Sequence, residues 1–448
     1  MLTLFIALLT LFVISACSNT SKEADNESNE KEINEKTKVL FWHSVGGGQQ
    51  PVLEEIVENY NKSQDKYEVV AVSQGSYDDT LLKFRNSGPS NDSPAIVHVN
   101  ETSSKFMIDS GKTIPINDWI KKDNFDVSFL EKAVANYYTI DGKLYSMPFN
   151  SSAPILVYNK DMFKKVGLDP ENPPKTYSEI KAAAEKLTTK DGNNTVYGFN
   201  MRTISWFFEE LLATQGGLLI NGENGRAQQA TEAVFNGKEG QATFNFIDDL
   251  NKDGLFAKYG RSGDDVDAAF YSEKVGMYLT SSAVIRSIVD NANFEVGVGS
   301  IPHPDNVDPQ GIVIGGGSLW MTNMVEENVQ KGAWDFMKYM EKADVQAKWH
   351  VSTGFFPINT ESYNLDIVKE EQKKYPQLKV AIEQLQNTKP SPATQGALSN
   401  VFPEIRSEIE KAFEAAFYSE RVEPAEALDN AKKAADKIIE NANRVNNK

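Results

Sequence analysis

Cysteine occurs once in this chain of 448 residues, at Cys17, so no intramolecular disulfide can brace it. Histidine is nearly as scarce. His43, His98, His303 and His350 lie far apart, and none has a metal-ligating neighbour at helical spacing, which argues against zinc; no metal and no cofactor is expected. With no Gly-x-Ser-x-Gly elbow and no second thiol, the usual hydrolase nucleophiles are missing. Basic residues are the minority, 46 Lys and Arg against 63 Asp and Glu. The net charge of −17 argues against nucleic acid or an anionic membrane surface as partner, because both need clustered cations. It leaves room for a local cationic pocket that takes one small anion. The most apolar stretch, Leu2–Ile14, is too short to span a bilayer.

That stretch instead matches the apolar core of an export signal, although no Lys or Arg precedes it. It ends in Ile14, Ser15, Ala16 and Cys17, which resembles a bacterial lipobox. The resemblance implies a signal peptide of residues 1–16, cleavage before Cys17 and acylation of its thiol. Between Ser18 and Lys36 the one large apolar residue is Ile33, too little to bury, so residues 17–37 read as a flexible tether. The expected address is the outer face of the cell membrane, held there by the lipid alone. With 40% apolar and 24% charged residues, the remainder has the composition of a globular protein and is long enough for two lobes.

Taken in order, the chain opens as α/β. Val39–Trp42 reads as a strand, followed by His43, three glycines at Gly46 to Gly48, and a helix opened by Pro51 with Leu53, Ile56, Val57 and Tyr60 on one face. No Gly-Lys-Ser/Thr follows these glycines, so the turn is not a nucleotide phosphate loop; it is either a tight turn or a helix start suited to an anion or hydroxyl. Tyr67–Val72 and Pro94–Val99 read as further strands, leading to Tyr77 and to Glu101. Ligands of open α/β sheets bind beyond the carboxyl ends of the strands, so His43, Tyr77 and Glu101 stand at equivalent positions. Later, Met277–Thr280 delivers Ser281 and Ser282 in the same way, and Phe294–Ile301 reads as another strand. Trp206 is either core or an aromatic wall for a ligand face.

The stretch Gly142–Phe163 reads G-K-L-Y-S-M-P-F-N-S-S-A-P-I-L-V-Y-N-K-D-M-F, with Asn150, Ser151 and Ser152 before a buried apolar run at Ile155–Tyr158. It is similar to the segment by which extracytoplasmic solute-binding proteins of ABC importers cross between lobes, in their glycerol-3-phosphate-binding branch. Further words carry the resemblance from Leu40 to about Arg406: F-W-H-S at Phe41–Ser44, G-S-Y at Gly75–Tyr77, P-A-I-x-x-V-x-E at Pro94–Glu101, I-G-G-x-S-L-W at Ile314–Trp320, W-H-x-x-T-G at Trp349–Gly354 and P-x-I-R at Pro403–Arg406.

The resemblance implies a two-lobed periplasmic-binding-protein-like fold of class II, each lobe an α/β sheet, joined by crossing hinge strands near Asn150, Gly315 and Phe355. The implied lobes are residues 38–148 with 315–357, and 149–314 with 358–448. Tyr77, Glu101, Ser152, Ser281 and Gly316 would line the cleft, with Trp206 as its wall and His43 and Phe355 beside it. Three positions depart from the family pattern: Phe355 stands for a hinge Tyr, Thr203 for a second wall aromatic, and Leu398 for a phosphate-pairing Arg after Gly396. Arg202 is either a substitute for that charge or a solvated surface group. The implied function is capture of glycerol-3-phosphate, a glycerophosphodiester or a related polyol by a monomeric receptor that hands it to ABC permease subunits, without catalysis. A sugar or oligosaccharide receptor is the alternative within that class, and a secreted hydrolase using Glu101 the alternative outside it.

Overall fold

The computed structural model describes residues 35–191, 194–419 and 422–446. The expected signal peptide, Cys17 and the tether up to residue 34 lie outside the described residues. Among those described, the strands are β1 (Thr37–His43), β2 (Tyr67–Ser73), β3 (Ile96–Asn100), β4 (Thr113–Ile114), β5 (Thr139–Ile140), β6 (Lys143–Leu144), β7 (Met147–Ser152), β8 (Pro154–Asn159), β9 (Thr189–Asp191), β10 (Asn194–Met201), β11 (Val275–Ser281), β12 (Val296–Gly299) and β13 (Gly315–Thr322). One sheet runs β2-β1-β3-β13-β4 with β7 also on β13, another runs β12-β8-β11-β10-β9, and β5-β6 is a separate ribbon.

The local reasons are plain in the sequence. In β1 alternate residues Val39, Phe41 and His43 point inward, and the following helix Gln50–Ser63, with Pro51 in its first turn, buries Leu53, Ile56, Val57 and Tyr60. β1 lies parallel to both β2 and β3, so the ends of all three strands face one edge of the sheet. In the second sheet β8 is buried along its whole length, as its unbroken apolar run requires, and β10 and β11 are parallel. Thr176 caps the helix Tyr177–Leu187 in a reciprocal box with Glu179. The strand expected over Phe294–Ile301 forms only at Val296–Gly299.

Three passages join the sheets. β7 belongs to the first and β8 to the second, with Ala153 alone between them. The return is β13, whose Gly315, Gly316 and Gly317 lie opposite Ser152, Ser151 and Asn150 of β7. Gly316 has φ +120°, and a Cβ there would sit 1.8 Å from the Asn150 carbonyl oxygen, so only glycine permits the approach. In the third passage the Phe356 N–H donates to the Ser151 carbonyl at 2.8 Å. The chain then stays with the first sheet's side for a few residues, because Glu131 N–H donates to the Ile358 carbonyl at 2.8 Å and Thr360 N–H to the Phe129 carbonyl at 2.9 Å.

Candidate functional site

The strand ends of the two sheets converge at these passages. Beyond β3, Glu101 opens a short turn and is only 6% exposed. Its Oε1 accepts a hydrogen bond at 3.1 Å from Nη2 of Arg406, which lies 305 residues later on the helix Phe402–Phe413. Arg406 in turn makes a two-bonded ion pair with Glu209 on the helix Ser205–Thr214: Nε to Oε1 and Nη2 to Oε2, each 2.7 Å. Ser205 Oγ donates to the same Oε1 at 2.8 Å, fixing the Glu209 rotamer. Burial works against the Arg406 charge, but Glu209 and Glu101 outweigh it and hold its pKa above the usual arginine value. Burial raises the Glu101 pKa despite the opposing pull of Arg406. Next to Glu209, the fully buried Glu210 accepts from the Val313 N–H at 2.9 Å, and burial pushes its pKa well above the carboxylate range.

A second set of groups contains no charge. Asn150 Nδ2 donates to Tyr77 Oη at 2.9 Å, and Asn150 Oδ1 lies 2.8 Å from His98 Nε2. His98 is completely buried, and its burial lowers its pKa to about 3, so the ring is neutral. Its Nδ1 accepts from the Ser44 N–H at 3.4 Å. That leaves the proton on Nε2, which donates to Asn150 Oδ1, so every bond in the chain has one direction: Ser44, His98, Asn150, Tyr77. Tyr77 Oη therefore receives a bond from protein and keeps its own proton for an acceptor elsewhere.

The remaining expected residues divide. A Cβ on Gly315 would lie 2.9 Å from the Trp206 ring and 3.4 Å from Ser152 Oγ, so Trp206, Ser152 and the return strand share one spot. The buried Trp206 Nε1 and Ser151 Oγ have no hydrogen-bond partner. Ser281, paired with Pro154 just past the first passage, accepts from the Ala283 N–H at 3.3 Å, while Ser282 and Ala153 exchange hydrogen bonds of 3.0 and 2.8 Å. Phe355 stacks on Trp349 at 6.2 Å, and its carbonyl accepts from His350 Nδ1 at 2.6 Å. His43 closes β1 with 2% exposure, its ring tilted at 52° to Phe41 in the core. Arg202 lies 5.6 Å over the Phe207 ring, and burial lowers its pKa against the pull of Asp267. It is thus half-buried and not bonded to Glu101.

One expectation is corrected. Leu398 is buried, its N–H donating to the Asn224 carbonyl at 2.8 Å, and the cation beside Glu101 is Arg406. A fixed positive charge thus stands beside Glu101, eight residues after Leu398. Arg406 was inside the P-x-I-R word that carried the resemblance, and that word was the available signal. Glu209 and His98 had none, since an acidic residue in an aromatic helix and an inward histidine in a strand look like ordinary core positions. A cavity of about 430 Å³ lies away from this cluster, lined among others by Glu131, Asn136 and Gln386.

The pattern for bacterial extracellular solute-binding proteins matches residues 55–380. Over 419 residues, 92% of this chain and 94% of the relative, it is 34% identical to the sn-glycerol-3-phosphate-binding periplasmic protein UgpB of Yersinia pestis. The chain belongs to the bacterial extracellular solute-binding proteins. The UgpB of Salmonella typhimurium is 32% identical over 411 residues, 90% of this chain and 92% of that one. Among solved structures, UgpB from Mycobacterium tuberculosis in complex with glycerophosphocholine superposes with a TM-score of 0.77 at 18% identity, covering 91% of this chain and 99% of that one. The cyclic alpha-maltosyl-1,6-maltose binding protein from Arthrobacter globiformis gives 0.75 at 24% identity, covering 91% and 100%. At these identities the structural likeness establishes the two-lobed solute-binding fold. Solute-binding proteins of this family take small solutes outside the cytoplasm and deliver them to ABC permeases. Among the described residues no helix is long and apolar enough to cross a membrane.

Proposed function

We propose that this solute-binding protein captures a glycerol phosphate, a glycerophosphodiester or a related polyol between its lobes. The observation that carries the reading is the meeting of Glu101 and Arg406 across the two sheets, a hydrogen-bond acceptor and a fixed cation within 3.1 Å of each other at the strand ends. A carboxylate accepts from vicinal hydroxyls, and a guanidinium donates to phosphate oxygens by charge-assisted bonds. Tyr77, Ser152, Ser281 and the Gly316 backbone would add neutral contacts, and Trp206 a stacking wall. The names of the Yersinia and Salmonella relatives point to the same solute class. That Trp206 lies against Gly315 and Ser152 also favours a second reading, a sugar receptor, because a flat ring stacks well on a pyranose face.

In this reading the lobes are residues 38–152 with 315–364, and 154–314 with 365–448. The first passage is put at Ala153, because β7 pairs within the first sheet, and the third after Asn364, because Ile358 and Thr360 bond to Phe129–Glu131. Closure about the three passages would trap the solute, and the closed form would dock on the permease. The mature protein would act as a monomer, anchored through an acylated Cys17.

The test is calorimetry with glycerol-3-phosphate, glycerophosphocholine and maltodextrins, in wild type and Glu101→Gln. One-to-one binding of a glycerol phosphate or its diester without turnover, weakened in the variant, is the expected result. Binding of maltodextrins alone would favour the sugar reading, and undiminished affinity in Glu101→Gln would remove that residue from the site.

A further inference from the structure

We propose that Glu209 sets the charge preference of this cleft, favouring solutes of at most one negative charge, namely phosphodiesters of glycerol and neutral polyols, over phosphomonoester dianions. The inference rests on the polyol-phosphate reading above and narrows it. Glu209 acts through Arg406 and is a positioning residue.

A guanidinium has five N–H donors in a planar fork, and its strongest anion contacts are bidentate along one edge. Here the Nε/Nη2 edge is already taken by both oxygens of Glu209, at 2.7 Å each. The second Nη2 proton serves Glu101. Among the described residues Nη1 has no hydrogen-bond partner, so an incoming anion meets that nitrogen, plus whatever Nη2 gives up when Glu101 turns to the solute's hydroxyls. Glu209 does not let go on opening: its helix packs against the Arg406 helix, it is 2% exposed, and Ser205 holds its Oε1 at 2.8 Å. The clamp belongs to one lobe and persists whether the cleft is open or shut.

The local charge then follows from counting. Arg406 contributes one positive charge and Glu209 one negative, which cancel. Glu101 adds a negative charge when ionised, and burial disfavours one on Glu210. A phosphodiester brings one negative charge, and a diester with a cationic head group none in total. A phosphomonoester brings up to two, because its second ionisation lies at a pH of about 6. Its second charge meets a site that is neutral or negative and largely buried, where like charges are poorly screened. Without Glu209 the same site would carry one more positive charge and a free bidentate edge.

The experiment compares glycerol-3-phosphate with glycerophosphocholine by calorimetry between about pH 5.5 and 7.5, in wild type, Glu209→Gln and Glu209→Asp. The groups that face Glu209 are Arg406, Glu101, Glu210 and Tyr137. Their own titration acts on both solutes, so the ratio of the two affinities cancels it to first order. In wild type the monoester-to-diester ratio should fall as pH rises through about 6. In Glu209→Gln the ratio at about pH 7.5 should rise roughly tenfold, the effect of removing one charge worth about 1.4 kcal/mol, and its pH dependence should flatten. Glu209→Asp keeps the charge, so the wild-type ratio should return even if both affinities drop.

An unchanged ratio in Glu209→Gln, or equal losses for both solutes, would make Glu209 a packing residue and overturn the proposal. If Glu209→Gln does not fold, the wild-type pH series decides, since a flat ratio there also overturns it. If neither solute binds the wild type, the underlying polyol-phosphate reading fails first and the two failures are told apart.

Discussion

Tyr77 ends a chain of neutral hydrogen bonds, whereas Arg406 stands between two carboxylates, and both lie near Glu101. The neutral side works by direction. A buried His98 that cannot take a proton orients Asn150, which orients Tyr77, and the tyrosine is left as a donor. The charged side works by compensation, with the burial cost of Arg406 and Glu209 offset only because each has the other. The neutral side should therefore tolerate loss of its last member and fail in acid. The charged side should fail when one of its partners is removed.

The largest effect expected is from Arg406→Ala, which strands Glu209 and Glu101 in the interior. Unfolding in urea should show a loss of about 3 to 5 kcal/mol, the usual penalty for breaking one partner out of a buried pair, and Arg406→Ala combined with Glu209→Leu should recover part of it. A variant as stable as the wild type would mean the pair is solvated and the contrast false.

Acid should act mainly on the other side. The His98 pKa is depressed to about 3 in the folded protein against 6.5 in an unfolded chain, so the unfolded state binds the extra proton. Its contribution is fully present above pH 6.5 and is lost as pH falls toward 3, amounting to about 3 kcal/mol at pH 4.5. His98→Gln should flatten this part of the stability profile; identical slopes in both proteins would show that His98 does not sense pH. The smallest effect belongs to Tyr77→Phe, which takes the acceptor from Asn150 Nδ2 and should cost about 1 kcal/mol in unfolding and about 0.5 to 1.5 kcal/mol of solute binding by calorimetry. A larger loss of stability than of affinity would make Tyr77 part of the scaffold instead.

Much of the frame was legible before folding. Short apolar runs and glycine turns marked β1, β2, β3 and β11, and the P-F-N-S-S and I-G-G-x-S-L-W words marked two of the passages where β7 and β13 meet. Glu101 and Tyr77 were legible because they follow strands. Arg406 was not picked out as the cation beside Glu101, because nothing in a helix's own periodicity says which of its polar residues will find a carboxylate.

By itself the sequence determined the elements, their order and the polar residues at their ends, because backbone propensity and apolar spacing act over a few residues. Only the tertiary structure decided which charges meet. Glu101 and Arg406 are 305 residues apart, and Glu209 and Arg406 are 197. Whether a half-buried cation has one carboxylate or two depends on how whole helices dock against a sheet edge, and no local pattern carries that information.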